Sequence, residues 1–358
     1  MLRFLPDSIK NYYRKKLNPT PQVLEILSKK QKENHPDKNY YSKGKTLATE
    51  RLKPKKFGEL NKDKTFYVIK RTPGTGLFSN VVFVLNHLAE SKKFNYIPII
   101  DMQNYLTVYN ELNKIRKTNN AWEYYFKQPS KFTLEEVYKS HNVIITENRF
   151  YNNFRYDMEN PYFDDFNSVQ KLVNDHFLKI CNKIKKKYFN QKILGVHFRG
   201  TSYKRSVGHP LPATKNQMKN LVKKIMARDN INKILLVTEE KNYLDFFLKE
   251  FKDKVIYLKS AYRSDKNDAF TTYPRNNHRY KLGREILIET ILLSECDSFI
   301  YLQSNVSGAV LSFNLNSNQK RFSINNGMNS KKLLHALCKW HIKKFLPEYM
   351  GGFKKNLY

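Results

Sequence analysis

The amino-acid sequence predicts an α/β chain of two doubly wound parallel domains that face each other across a cleft. Two observations predict it. From Thr65 onward, short apolar runs alternate with stretches of helical apolar spacing, the pattern of parallel strands joined by crossover helices. The series runs twice, over residues 65–188 and 189–330, and 358 residues with 40% hydrophobic content suffice for two cores.

Residues 1–64 are basic, rich in Lys, Asn and Pro, and read as an N-terminal extension with a short helix over Pro21–Lys32. The tripeptide His35-Pro36-Asp37 matches the chaperone J-domain signature. Tyr40–Leu60 lacks the long apolar-periodic helix such a domain needs, so the match reads as chance. In the first domain Phe66–Ile69 is a strand, Thr72–Gly76 a loop, Leu77–Ser91 a helix and Ile97–Ile100 a strand, which together make a βαβ unit. Asn120–Phe126 is an aromatic patch suited to core packing, with stacking on a ligand ring as the alternative. Thr133–Ser140 and Ser168–Lys187 are helices, and Val143–Thr146 is a strand.

The second domain sets strands at Ile193–Phe198, Lys233–Thr238, Val255–Leu258, Ser298–Leu302 and Arg321–Ile324. Helices fall at Thr214–Arg228, Asn242–Phe251, Gly283–Ser294 and Ser307–Phe313. The last segment, 331–358, carries a helix at Lys331–Phe345 that is expected to cross back to the first domain.

Lys and Arg number 65 against 32 Asp and Glu, a formal net charge of +33, which favours polyanions, anionic lipid or phosphorylated substrates. The lysines are spread over the whole chain, so a dedicated nucleic-acid role is disfavoured. Cys181, Cys296 and Cys338 are too scattered for a disulfide framework or a zinc site, and each is expected in an apolar setting. Met1–Leu5 leads straight into Pro6 and charged residues, unlike a signal peptide, and no apolar run reaches the roughly 18 residues a membrane span needs. The expected location is cytoplasmic, with peripheral contact at the inner face of an anionic membrane open to so basic a surface.

Ligands of open α/β sheets bind where strands end and helices begin. Three such loops stand out in the second domain. In Gly195–Thr201, His197 and Arg199 alternate onto one face, and a guanidinium fork suits a diphosphate; a structural ion pair with a core histidine is the other reading. Thr238-Glu239-Glu240 places carboxylates where they hold ribose hydroxyls or a base edge, or cap the next helix. Gln303–Gly308 offers amides and hydroxyls at a helix start, as an anion site or as an ordinary serine cap. The first-domain turn Gly74–Ser79 departs from the dinucleotide and P-loop fingerprints but suits close approach of a ligand.

In this order the three loops resemble the GT-B fucosyltransferase superfamily: α1,6-fucosyltransferases, bacterial nodulation fucosyltransferases and, more distantly, protein O-fucosyltransferases. The carriers are His197-Phe198-Arg199-Gly200-Thr201 with His209-Pro210, then Thr238-Glu239-Glu240. The third is Leu293-Ser294-Glu295-Cys296-Asp297-Ser298 followed by Ser304-Asn305-Val306-Ser307. The resemblance spans residues 65–325. It implies two Rossmann-like domains and inverting, metal-independent transfer from a GDP-sugar, GDP-fucose first, to a glycan or polysaccharide acceptor, with no cofactor. It implies a donor site of His197, Arg199, Gly200, Thr238, Glu239, Asp297, Ser304, Asn305 and Ser307. In it Arg199 binds the β-phosphate, His197 contacts the nucleotide, and Ser304 and Ser307 hold phosphate. Arg199, His197 and Glu239 form the implied catalytic set. The acidic pair of the α1,6 enzymes is Ser202 and Val207 here, which leaves the base to be chosen among Glu239, Glu123, Asp101 and His209. Lys204 or Arg205 could add positive charge for the leaving group. Two other functions fit the sequence. One is a GT-B transferase using another nucleotide sugar in surface polysaccharide synthesis. The other is a basic nucleic-acid-binding scaffold on a degenerate transferase fold.

Overall fold

A computed structural model of the chain describes residues 22–37, 53–147, 165–200, 202–266, 268–355 and 357. It divides into two compact units. The first takes the described residues up to 147 together with 268–283; the second takes those of 155–267 and 284–358.

Unit 1 is built on a three-stranded parallel sheet. Helix α1 (Gln22–Asn34) precedes strand β1 (Leu60–Ile69), helix α2 (Leu77–Lys93), strand β2 (Ile97–Ile100), the short helix α3 (Leu134–Val137) and strand β3 (Ser140–Ile145). The strand order is β2-β1-β3. Phe66, Val68, Ile99 and Val143 form its core, as the continuous apolar run of a two-sided parallel strand requires. β1 begins inside the stretch expected to be extension, and Leu24 and His35 are buried. His35 meets the Asn104 carbonyl at 3.2 Å and Asp37 pairs with Lys55, so this tripeptide serves packing. Trp122, Tyr124, Tyr125 and Phe126 are all buried, which makes the aromatic patch core. The segment 268–283 joins this unit through Tyr125, whose hydroxyl donates to the Tyr280 carbonyl at 3.0 Å.

Unit 2 contains helix α4 (Asn167–Gln170), helix α5 (Asp175–Tyr188), strand β4 (Ile193–His197), helix α6 (Lys215–Asp229), strand β5 (Lys233–Val237), helix α7 (Lys241–Phe251) and strand β6 (Val255–Ile256). Helix α8 (His278–Leu293) begins in unit 1 and continues into unit 2 from Arg284. Strand β7 (Ser298–Leu302), helix α9 (Asn305–Phe313), strand β8 (Lys320–Ile324) and helix α10 (Leu333–Phe345) complete the unit. The sheet is parallel throughout, in the order β6-β5-β4-β7-β8. This is the winding of mononucleotide-binding sheets, with the order reversing between β4 and β7.

The expected helix over Ser168–Lys187 is interrupted, because Asn174 takes an extended conformation and restarts the chain as the N-cap of α5. Residues 165–188 group with unit 2, not with the first domain as expected. α10 also belongs to unit 2, where the Trp340 indole donates to the Pro212 carbonyl at 2.8 Å. Cys181 and Cys296 are buried as expected, whereas Cys338 is exposed on α10. Among the described residues no helix is long and apolar enough to cross a membrane.

Candidate functional site

The strand order of unit 2 reverses between β4 and β7, and the sequence motifs follow the carboxyl ends of β4, β5 and β7 there, the edge where ligands of open α/β sheets bind. β4 is buried along its whole length and ends on His197, which pairs in register with Val237 of β5 and Tyr301 of β7. His197 is 2% exposed, and its Nδ1 has no hydrogen-bond partner among the described residues. Burial, and then the neighbouring Arg199 charge, depress its pKa to about 4 against the opposing pull of Glu239, so the ring is neutral near pH 7.

Arg199 lies two residues on, half-buried. Its guanidinium is 3.6 Å from the Glu239 carboxylate, donates to the Ser202 hydroxyl at 3.2 Å and covers the Tyr203 ring at 4.7 Å. Glu239 also accepts the Gly200 amide at 3.0 Å. Burial pushes the Glu239 carboxyl up, but Arg199 and the Gly200 amide outweigh it and hold the pKa below the usual range. A carboxylate so engaged is a weak base; its place is to position Arg199 and the following loop. That corrects the expected catalytic role of Glu239. Thr238 uses its hydroxyl to accept the Glu240 amide at 3.2 Å. Glu240 itself is buried and paired with Lys204 at 2.6 Å, so Lys204 is committed here and not to Arg199's side of the loop. Thr201, the next residue of this motif, lies outside the described residues.

On the β7 side, Ser304 and Ser307 close a reciprocal cap on α9. The Ser304 hydroxyl accepts the Ser307 amide at 3.1 Å, and the Ser307 hydroxyl accepts the Ser304 amide at 2.8 Å. The Ser307 hydroxyl also donates within this turn, to the Leu302 carbonyl at 2.9 Å, and it is fully buried. The expectation that Ser307 holds phosphate therefore fails, because its hydroxyl is spent on the turn itself. The amides of Asn305 and Val306 lie in the first turn of α9, ahead of the helix's own hydrogen-bond ladder.

Asp297 is misplaced by the sequence reading. It accepts the Ile193 amide at 2.8 Å and donates its own amide to the Ile193 carbonyl, which places it at the start of β4 and β7. Five residues of strand, about 16 Å, separate it from that edge. It clamps the sheet and touches no ligand there.

Of the remaining candidate bases, Asp101 accepts two amides, the Asn104 side chain and the Tyr138 hydroxyl in the core of unit 1. Glu123 is taken by Thr118, Asn120 and Gln128. His209 is exposed in unit 2; burial of part of its ring and the Arg199 charge lower its pKa, and the ring rests 4.7 Å from that of Tyr203. In unit 1, Asn80 accepts the Thr75 amide at 3.1 Å and so latches the glycine-rich turn shut.

Sequence reasoning passed over a buried pair beside the site. Arg263 meets Glu289 of α8 at 3.4 Å, and burial pushes the Glu289 carboxyl up to about 8 although Arg263 opposes this. Only the apolar surroundings of Glu289 on α8 hinted at it; its partner is 26 residues away in the chain.

An arginine, a tied carboxylate and a capped helix start thus stand together at the strand-order switch of the parallel sheet. Among solved structures, the chain is similar to a NodZ α-1,6-fucosyltransferase co-crystallized with GDP (13% identity, 69% of this chain and 92% of that one, TM-score 0.43). It is also similar to POFUT1 in complex with GDP (10% identity, 73% and 98%, TM-score 0.43) and to a FUT1 variant from Arabidopsis thaliana in complex with GDP (9% identity, 82% and 78%, TM-score 0.39). No family model and no curated protein matches the chain.

Proposed function

We propose that this chain is an inverting, metal-independent glycosyltransferase that moves fucose from GDP-fucose to a glycan or polysaccharide acceptor. One observation carries the reading: Arg199 and the first turn of α9 follow neighbouring strands at the strand-order switch of unit 2, an edge where a guanidinium fork and helix-start amides suit a diphosphate. The choice of guanine and fucose rests on the motif resemblance.

In this reading the bond from sugar C1 to the diphosphate oxygen breaks as the acceptor oxygen attacks the opposite face of C1. Negative charge then builds on the leaving diphosphate, and Arg199, aimed by Glu239, answers it. His197, neutral and buried, offers its unpartnered Nδ1 to the nucleotide. For the acceptor proton this reading takes His209, which is exposed with its ring 4.7 Å from that of Tyr203, because Glu239, Glu123 and Asp101 are engaged elsewhere.

Peripheral contact with an anionic membrane belongs to the same proposal, through α10. Leu334, Cys338, Ile342 and Phe345 share one exposed face of that helix, with Tyr349 and Met350 just beyond and Lys339, Lys343 and Lys344 beside it.

A thermal-shift comparison of GDP, UDP, ADP and CMP tests the donor site. Stabilisation by GDP above the others is expected. Stabilisation by none would remove the site, and a preference for UDP would overturn the fucose assignment. Turnover of GDP-fucose is expected to persist in EDTA; loss restored by manganese would overturn metal independence.

A further inference from the structure

Unit 2 contains a second cavity, of about 700 Å³, that none of the donor-site residues lines. Its wall carries Lys204, Lys215, His341 and Lys344 beside Tyr243 and Trp340, and no carboxylate. The acids that act on the lining Tyr243 are already engaged: Glu240 pairs with Lys204 at 2.6 Å, Glu239 accepts the Gly200 amide at 3.0 Å, and Asp265 accepts the Asn242 amide at 3.0 Å. Lys215 and Lys344 face rings instead. Lys215 lies 5.4 Å from the ring of Phe246 and 5.8 Å from that of Tyr243, and Lys344 lies 5.8 Å from that of Trp340. Burial, then the charges of Arg205, Lys204 and Lys344, lower the pKa of His341 on the same wall.

A second observation points to a ligand. Tyr243 is 2% exposed, and its hydroxyl is buried with no hydrogen-bond partner among the described residues. Such an orphan is unfavourable until an oxygen or donor meets it. The same wall includes the first turn of the 15-residue helix α6, whose amides at Lys215 and Asn216 have no carbonyl four residues back. Positive charge, aromatic surface and a tyrosine with an orphan hydroxyl on one wall select an oxyanion attached to a ring. A volume of this order suits a mono- or disaccharide.

We propose that this cavity binds an acidic sugar, one whose ring carries a phosphate, a sulfate or a carboxylate. The site stands whether or not the donor site is one for GDP-fucose.

Trp340 reports on it directly. The chain has two tryptophans, so Trp122→Phe leaves Trp340 as the sole indole. Titration of this variant with glucose 6-phosphate, glucose 6-sulfate and glucuronate separates the three acidic groups, with glucose and inorganic phosphate as the neutral and ring-free probes. Saturable change in Trp340 emission is expected with at least one acidic sugar and not with glucose. Lys215→Ala with Lys344→Ala should weaken that binding at least tenfold, and Tyr243→Phe several-fold, while the thermal shift given by any nucleotide is unchanged in the lysine variant. Calorimetry on the unsubstituted chain repeats the comparison independently of Trp122. The proposal is overturned if no acidic sugar binds at millimolar concentration, if glucose binds equally, if inorganic phosphate binds as tightly as glucose 6-phosphate, or if the lysine variant binds like the parent.

Discussion

Gly200 offers the sharpest test of how the Arg199 loop is built. It follows Arg199 directly, and a Cβ added there would lie 2.5 Å from Glu240 Cδ and 2.8 Å from Tyr243 Cε2. Neither neighbour yields cheaply. Glu240 is 1% exposed and held by Lys204 at 2.6 Å, and the Tyr243 ring stacks on Phe198 with centroids 3.8 Å apart. Overpacking alone costs about 1–3 kcal/mol, and pulling one partner out of a buried ion pair costs about 3–5 kcal/mol. Partial relief of both puts Gly200→Ala at about 2–4 kcal/mol, a fall in the melting temperature of unit 2 on the order of 5–10 °C. Urea titration followed by circular dichroism measures the first quantity and calorimetry the second. The same substitution shifts the amide that Glu239 accepts, so nucleotide affinity should fall along with stability. A Gly200→Ala chain within 0.5 kcal/mol of the parent would mean that Glu240 and Tyr243 do not fix the loop, and the positioning role given to Glu239 would lose its physical basis.

Ser304→Ala should cost about 1 kcal/mol through loss of the α9 cap, whereas Ser304→Asp keeps a capping oxygen and should bind GDP at least tenfold more weakly by repelling the diphosphate. Equal GDP affinity in parent and Ser304→Asp, measured by calorimetry, would take α9 out of the donor site. Glu289 keeps its proton in the folded state up to about pH 8 but sheds it near 4.5 when unfolded. Stability should therefore fall as pH rises through that window, on the order of 1 kcal/mol per pH unit from this group, and Glu289→Gln should flatten the fall; identical slopes in urea titrations from pH 5 to 8 would refute this. The chain should co-sediment with vesicles containing phosphatidylserine more than with phosphatidylcholine alone, and a chain carrying Leu334→Ser, Ile342→Ser and Phe345→Ser should lose that difference; undiminished binding would place the contact elsewhere.

The strands were legible because they are buried on both faces. Ile193–Val196 and Phe299–Leu302 read as unbroken apolar runs, and the structure places β4 and β7 there. The gathering of the three motifs followed from the parallel winding, which sends the residues after β4, β5 and β7 to one edge. Asp297 was misassigned because nearness to a motif in sequence says nothing about which end of a strand a residue occupies. Ser307 was misassigned because the same two serines can cap a helix or bind phosphate, and only the turn geometry decides. The pairs Lys204–Glu240 and Arg263–Glu289 join residues far apart in the chain, so no local period announces them. The J-domain tripeptide shows the converse: His35 and Asp37 match a motif, yet burial turns both inward.

Charge leaves one rival reading, a basic scaffold for nucleic acid, and Arg199 separates it from a transferase. Arg199 is one of 65 cationic side chains spread along the chain. Binding to RNA through that many cations is a sum of phosphate contacts; deleting one lowers the salt slope by about one at most and weakens affinity slightly. Transfer from a sugar diphosphate is different, because the charge on the leaving group appears at one place, and Arg199 is the guanidinium that Glu239 holds at the strand-order switch. Losing it should cost on the order of 3 kcal/mol in the transition state, a rate loss of about a hundredfold. Arg199→Ala should therefore lower turnover of GDP-fucose about a hundredfold while circular dichroism and any RNA affinity stay near those of the parent. The decisive comparison measures both activities in both chains at several salt concentrations. A folded Arg199→Ala chain with near-full turnover would remove Arg199 from the chemistry. A parent chain that ignores GDP at every salt concentration but binds RNA with a steep salt dependence would favour the scaffold, since a site built for one diphosphate has no reason to prefer a polymer.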